Sequence, residues 1–193
     1  MRWILPALLP LLTAPLQAQP FALNGGLQVG FNHLTGDAQD LRDVGTHREG
    51  GGHFGGHLDF NFTRHHQLRA HITGYEWTGN RWGGYWDPRN DLGVLQVGAE
   101  WVYNFGLPNR GAYFLVGGSI NRVRSEYDAL GYASTVTQDG RPGFRVGGGY
   151  NFNRWFSLEG SSSRVSVDKY GADGLGYDEL TWFSVSAVFR FGR

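Results

Sequence analysis

Seven residues that could do chemistry recur at close spacing: His57 and Asp59, then Arg69 and His71, then Glu100, Arg145 and Glu159. Imidazoles bind metals and move protons, carboxylates ligate and orient, and guanidinium clamps carboxylate. Three chemistries are therefore open: a metal site, a nucleophile–base pair, or a set of ion pairs. Six of the seven histidines lie between His47 and His71, so metal binding comes first. On a helix His53 and His57 would share one face and chelate. On a strand the same four-residue spacing separates them by about 13 Å. The elements that carry these residues decide the matter.

Those elements are strands. Thr181 to Phe191 places Phe183, Val185, Ala187, Phe189 and Phe191 on one face and Ser184, Ser186 and Arg190 on the other, with Val188 the one apolar intruder. The same alternation recurs at 23–33, 53–62, 67–73, 95–105, 114–121, 144–152 and 156–161. Parity slips past Gly74 at Tyr75 and Trp77, which predicts a bulge or the start of a loop. Eight strands result, joined by connections that alternate long and short. The long ones fall at 35–51, 79–90, 124–141 and 166–178. About ten alternating residues per strand suffice to cross a bilayer, and long outer loops with short inner turns mark a membrane barrel.

Two compositional features set the direction of the faces. Gly supplies 31 of 193 residues, while Lys occurs once, at Lys169. The polar face carries Gly30, Gly55, Gly98, Gly117, Gly147 and Gly149, which suits the crowded axis of an eight-stranded barrel. It lacks the mixed charge of a water-facing surface, so a soluble barrel with its apolar face inward is disfavoured. Aromatics gather where strands meet the short turns: Phe60, Phe62, Trp101, Tyr103, Phe105, Tyr150, Phe152, Phe156, Phe189 and Phe191. Such a girdle belongs at a membrane–water interface.

Residues 1–18 open with Arg2, continue through an apolar stretch from Trp3 to Leu12, and end in Leu16-Gln17-Ala18. This predicts a cleaved export signal, leaving 19–193 as the barrel domain with both termini in the periplasm. Formal charge is zero, which excludes a nucleic-acid partner that relies on a basic surface. There is no cysteine, so disulfides and thiolate metal sites are excluded as well.

The short turn Thr63-Arg64-His65 sets Phe62 opposite His66, so Asp59 faces Arg69 and His57 faces His71. Opposed Cβ atoms lie about 4.5–5.5 Å apart, close enough for ion pairs. Buried charge must be paired. The expectation is a lumen plugged by a network of His57, Asp59, Arg69, His71, Glu100, Arg145 and Glu159, with His53 and Arg190 on the same polar face. Asp37, Asp40 and Asp43 do not match a calcium-loop spacing. The late serines Ser161, Ser162 and Ser163 have no nearby His, since none follows His71, so a hydrolase is not expected. No cofactor, metal or catalytic residue is assigned. Trp82, Tyr85 and Trp86 are candidates for recognition by an outer loop, with Tyr127, Tyr132, Tyr170 and Tyr177 in later ones.

Gly148, Tyr150 and Phe152, followed by Phe156-Ser157-Leu158-Glu159, and the closing Val185-Ser186-Ala187-Val188-Phe189-Arg190-Phe191 resemble the small outer-membrane β-barrel proteins of Gram-negative-type bacteria, the OmpA/OmpX/OmpW-like, porin-related group. The resemblance spans the mature chain. It implies an all-β, eight-stranded antiparallel up-and-down barrel in the outer membrane, surrounded by lipid and lipopolysaccharide. It also implies insertion by the barrel-assembly machinery through a terminal aromatic. Here Phe191 is followed by Gly192-Arg193, a departure from that ending. The function expected is structural, or interaction with an extracellular or envelope protein through the loops. The alternative is a small channel or carrier for hydrophobic or small polar solutes.

Overall fold

In the computed structural model, residues 22–35, 50–78, 89–106, 110–129, 132–170 and 175–191 are described. They form eight strands: β1 (Ala22–Thr35), β2 (Gly50–Asn61), β3 (His66–Trp77), β4 (Arg89–Asn104), β5 (Gly111–Ala129), β6 (Tyr132–Asn151), β7 (Phe156–Ser166) and β8 (Glu179–Phe191). Each pairs antiparallel with its sequence neighbours, and β1 also pairs with β8, closing the sheet. Closure leaves no edge within the wall, so every ladder there is satisfied without solvent, as a lipid environment demands.

Alternation along the strands divides side chains between wall and axis. Phe31 is 81% exposed, Ile120 65% and Val185 62%, whereas Gln28, Thr73, Gln96 and Ser157 are buried. Val97 and Phe144 face outward, and Ser184 is enclosed. Oil therefore meets the outside of the cylinder and polar groups fill its axis. The tight turn after β2 is fixed by Thr63, whose hydroxyl accepts from the backbone N–H of His65 and His66. Phe62 N donates to His66 O at 3.1 Å and closes the same turn. Asn153 caps the turn before β7 in the same way, accepting from the amides of Trp155 and Phe156.

Three features differ from the sequence expectations. Strand β3 does not bulge past Gly74. It runs straight to Trp77, with Tyr75 opposite Val94 and Trp77 opposite Leu92. Tyr75 and Trp77 stay on the inward face, so it is the chemistry of the lumen that changes there, from polar to aromatic. The expected loop at 124–141 is a hairpin: β5 and β6 stay paired as far as Ala129 with Tyr132, after a one-residue register shift between Asn121 and Val123. Thr135, Val136 and Thr137 supply β-branched residues for this extension. Finally, Tyr177 is not an exposed loop aromatic but is buried in the mouth of the barrel.

Candidate functional site

The midsection of the lumen is a closed set of charges delivered by different strands. β2 pairs with β3 so that Asp59 opposes Arg69 and His57 opposes His71. Arg69 Nε donates to Asp59 Oδ1 at 3.0 Å, and its Nη1 donates to Glu159 Oε2 at 2.7 Å. Arg145 Nη1 donates to Glu100 Oε1 and its Nη2 to Glu159 Oε1, both at 2.8 Å. Glu159 thus receives one guanidinium on each oxygen. All five of these residues are buried.

Two further residues belong to this layer. Tyr113 donates its hydroxyl to Glu159 Oε2 at 2.8 Å, and the guanidinium carbons of Arg69 and Arg190 lie 5.8 and 5.7 Å from its ring centroid. Arg190 donates to Asn151 and Ser157 and lies 3.4 Å from Asp59 Oδ2. Tyr113 lies one residue before the alternation expected at 114–121; its parity with Leu115 and Gly117 is the signal that places it inside. The histidines lean on separate carboxylates, His57 on Asp59 at 3.5 Å and His71 on Glu100 at 3.3 Å. They do not converge on a common point.

Toward the loop end the polar layer becomes neutral. Gln96 Nε2 donates to Ser119, Asn121 donates to Ser119 and to the Arg141 carbonyl, and Gln28 donates to Thr73. His53 spans three strands: its Nε2 lies 2.8 Å from Ser186 Oγ and its Nδ1 3.2 Å from Asn32 Oδ1. Gly30 allows this bridge, because a Cβ there would meet His53 Cε1 at 2.7 Å. Ser186, His53 and Asn32 have the connectivity of a nucleophile, a base and an orienting group. Ser186 is 1% exposed, however, so no acyl carbon can approach it in this arrangement. Ser161, by contrast, accepts from Arg145 Nε.

An apolar cap lies toward the loop end of this layer. Leu34, Tyr75, Trp77, Leu92, Val94, Val123, Val165, Val167, Tyr177, Leu180 and Trp182 form one cluster drawn from six strands and the segment after β7. Trp182 meets Tyr75 and Trp77 edge-on, with ring centroids at 5.0 and 5.5 Å. Val167 N donates to Asp178 O, joining the described residues at the two ends of this segment and bringing Tyr177 into the cluster.

On the outside, the aromatics near the short turns form two arcs. Trp101 and Tyr103 on β4 and Phe105 just past its end make the first, with His66 stacked on Trp101, His65 on Tyr103, and Phe105 edge-on to Tyr103. Tyr150, Phe152, Phe156 and Phe189 make the second arc, with successive centroids 5.2–5.7 Å apart. Phe62 and Phe191 are exposed at the same end, and Phe60 is half-buried. Trp82, Tyr85 and Trp86 lie outside the described residues, as do residues 1–18.

The fold matches solved structures over most of its length. The attachment invasion locus protein Ail of Yersinia pestis, crystallised with the heparin analogue sucrose octasulfate, aligns at 10% identity and TM-score 0.56, over 88% of this chain and 99% of that one. Neisserial surface protein A aligns at 13% identity and TM-score 0.52, over 89% and 97%. The N-terminal β-barrel domain of Pseudomonas aeruginosa OprF aligns at 12% identity and TM-score 0.50, over 89% and 99%. A search of curated proteins gives no match. Residues 4–191 match the family model for the outer membrane protein beta-barrel domain, so the chain belongs to that family and is a barrel of the outer membrane.

Proposed function

We propose that this protein is a non-conducting outer-membrane barrel whose plugged lumen serves as a rigid support for interactions at the loop end. The observation that carries this reading is the stacking of two different seals across one lumen. Below is an ion-paired layer centred on Arg69, Arg145 and Glu159. Above it is an apolar cap centred on Trp77 and Trp182. Hydrated ions must displace buried charge in the first and desolvate fully in the second. Neither layer offers an accessible nucleophile, which supports a role without catalysis.

The barrel reading places both termini in the periplasm, with residues 1–18 a cleaved signal and the barrel-assembly machinery the inserting partner. Lipid and lipopolysaccharide surround the wall, and the aromatic arcs on β4, β6, β7 and β8 mark the periplasmic interface. The projecting β5–β6 hairpin is offered to extracellular or envelope partners, and Trp82, Tyr85 and Trp86, outside the described residues, remain the candidates that the sequence gives for contacting them. That Ail, a barrel of similar fold, was crystallised in complex with a heparin analogue is in keeping with an interaction role for this one. Planar-bilayer recording of refolded protein tests the proposal: silent membranes are expected, and steady ion current would replace it with the channel reading.

A further inference from the structure

On the outer wall, at the loop end of β2 to β5, the apolar band is interrupted by a groove of about 710 Å³. Two rows of laterally paired, outward-facing residues build it. The lower row runs Phe54, Gly74, Leu95 and Arg122; the upper row runs Gly52, Glu76, Gly93 and Arg124. Gly52, Gly74 and Gly93 form the floor. A Cβ at any of them would meet only backbone oxygens at 3.9–4.0 Å, so these positions are open toward the lipid side. Phe54 and Leu95 rise beside Gly74, both exposed. The next row toward the periplasm, Gly56, Ile72, Val97 and Ile120, is wholly apolar, so the groove sits where hydrocarbon gives way to charge.

The charges around it are mixed. Arg122 is bound in fork geometry to Asp139, Nε–Oδ1 2.6 Å and Nη2–Oδ2 3.2 Å, and Arg124 Nη2 lies 2.5 Å from Glu126. Both arginines are more than half exposed, and such pairs are weak enough to exchange partners. Glu76 has no ion pair or hydrogen bond among the described residues and stands across Gly93 from Arg124. Asp91 stands in the next row, directly opposite Glu126. Two guanidinium groups therefore face four carboxylates, and a head of purely negative charge would have to approach them all. A head carrying both signs can exchange partners within the set and strand none of them.

We propose that this groove seats one phospholipid whose head carries phosphate and ammonium together. The phosphate rests on Arg122 and Arg124, the ammonium on Glu76, and an acyl chain lies on Gly74 between Phe54 and Leu95. Phosphate suits the arginines because guanidinium matches its oxygens in a planar fork. The chain suits the floor because glycines let it touch the backbone directly. The assignment rests on the reading that this wall faces lipid.

The test is native mass spectrometry of the refolded barrel released from micelles holding equal amounts of phosphatidylethanolamine, phosphatidylglycerol and lipid A. One bound phosphatidylethanolamine is expected, favoured over phosphatidylglycerol by about fivefold, the worth of one exposed ion pair. Glu76→Gln should erase that preference, and Gly74→Val with Gly93→Val should abolish retention by filling the floor. These valines point outward into open space, so the heat-modified gel shift should persist and show that the barrel still folds. Equal retention of phosphatidylglycerol, preferential retention of lipid A, a lipid-free dimer seated on this wall, or undiminished binding by the valine variant would each overturn the proposal. Failure of the wild-type barrel to insert into liposomes would instead strike the lipid-facing wall itself.

Discussion

Arg69 on β3 and Glu159 on β7 are joined by a 2.7 Å hydrogen bond although 90 residues separate them in sequence. In a closed ring of eight strands, β3 and β7 stand on opposite walls. The bond is therefore a strut across the full diameter of the lumen, and Arg145 braces it by holding the other oxygen of Glu159. Such a strut is possible because an eight-stranded barrel is only as wide as its own side chains. Other contacts cross the lumen beside it, Arg145 to Glu100, Tyr113 to Glu159 and Trp182 to Tyr75 and Trp77.

Removing the strut at the arginine leaves Asp59 and Glu159 short of a counter-charge in a buried site. Arg69→Ala should lower unfolding stability by about 3–5 kcal/mol, the usual cost of stranding buried charge. A double-mutant cycle of Arg69→Met and Glu159→Gln should give a coupling of about 0.5–3 kcal/mol. Urea titration in lipid vesicles measures both. An unchanged heat-modified gel shift and midpoint for Arg69→Ala would count against a structural role for the network.

Glycines on the two faces should respond oppositely to the same substitution. Gly147 points inward, and a Cβ there would fall 2.5 Å from the Gly160 carbonyl oxygen and 2.7 Å from Ser161 Cβ. Gly160 points outward and has nothing within 4 Å. Gly147→Val should therefore prevent folding, while Gly160→Val should fold as well as the native chain or better, since valine suits a strand. Refolding yield by gel shift reads the difference. Equal yields would mean that the axis is looser than these distances require.

The Ser186–His53–Asn32 relay is expected to be chemically silent. A fluorophosphonate probe should leave the folded barrel unlabelled, because Ser186 is sealed among its neighbours. Ser186→Ala should cost about 1–3 kcal/mol by stranding a buried imidazole nitrogen. Labelling that requires His53 would reopen the case for hydrolysis.

Much of this architecture was legible in the chain, because a two-residue period records which face of a strand meets oil. The register of Asp59 with Arg69 followed from three turn residues, since in a hairpin the turn length sets every pair above it. Legibility failed where the lumen itself turned apolar. At Tyr75 and Trp77 the inward face is aromatic while the outward face carries Gly74 and Glu76, so polarity there reverses its usual sense and parity read from polarity alone gives a false bulge. Val188 raises the same ambiguity and is also buried inside. The long β5–β6 hairpin was lost for a related reason: above the membrane neither face meets oil, and the alternation fades while pairing continues. The cross-barrel strut was beyond sequence reasoning, because no local spacing states the diameter of a closed sheet.

On the proposed reading the charged layer and the apolar cap seal the lumen in series, and that order makes a prediction of its own. Trp77→Ala and Trp182→Ala should each cost about 3–5 kcal/mol, as large cavities in a packed cluster do. Neither variant, nor the pair together, should conduct, because Arg69, Arg145 and Glu159 still cross the lumen beneath. Thinning the charged layer by Arg69→Ser with Glu159→Ser should likewise leave membranes silent, since Trp182 still meets Tyr75 and Trp77 at the mouth. Current should appear only when both sets of substitutions are combined. Single-channel recording of the tryptophan pair, the serine pair and the combined variant decides the matter. Conduction through the tryptophan variant alone would show that the charged layer is permeable to ions and that the cap is the whole barrier; conduction through the serine variant alone would show the reverse.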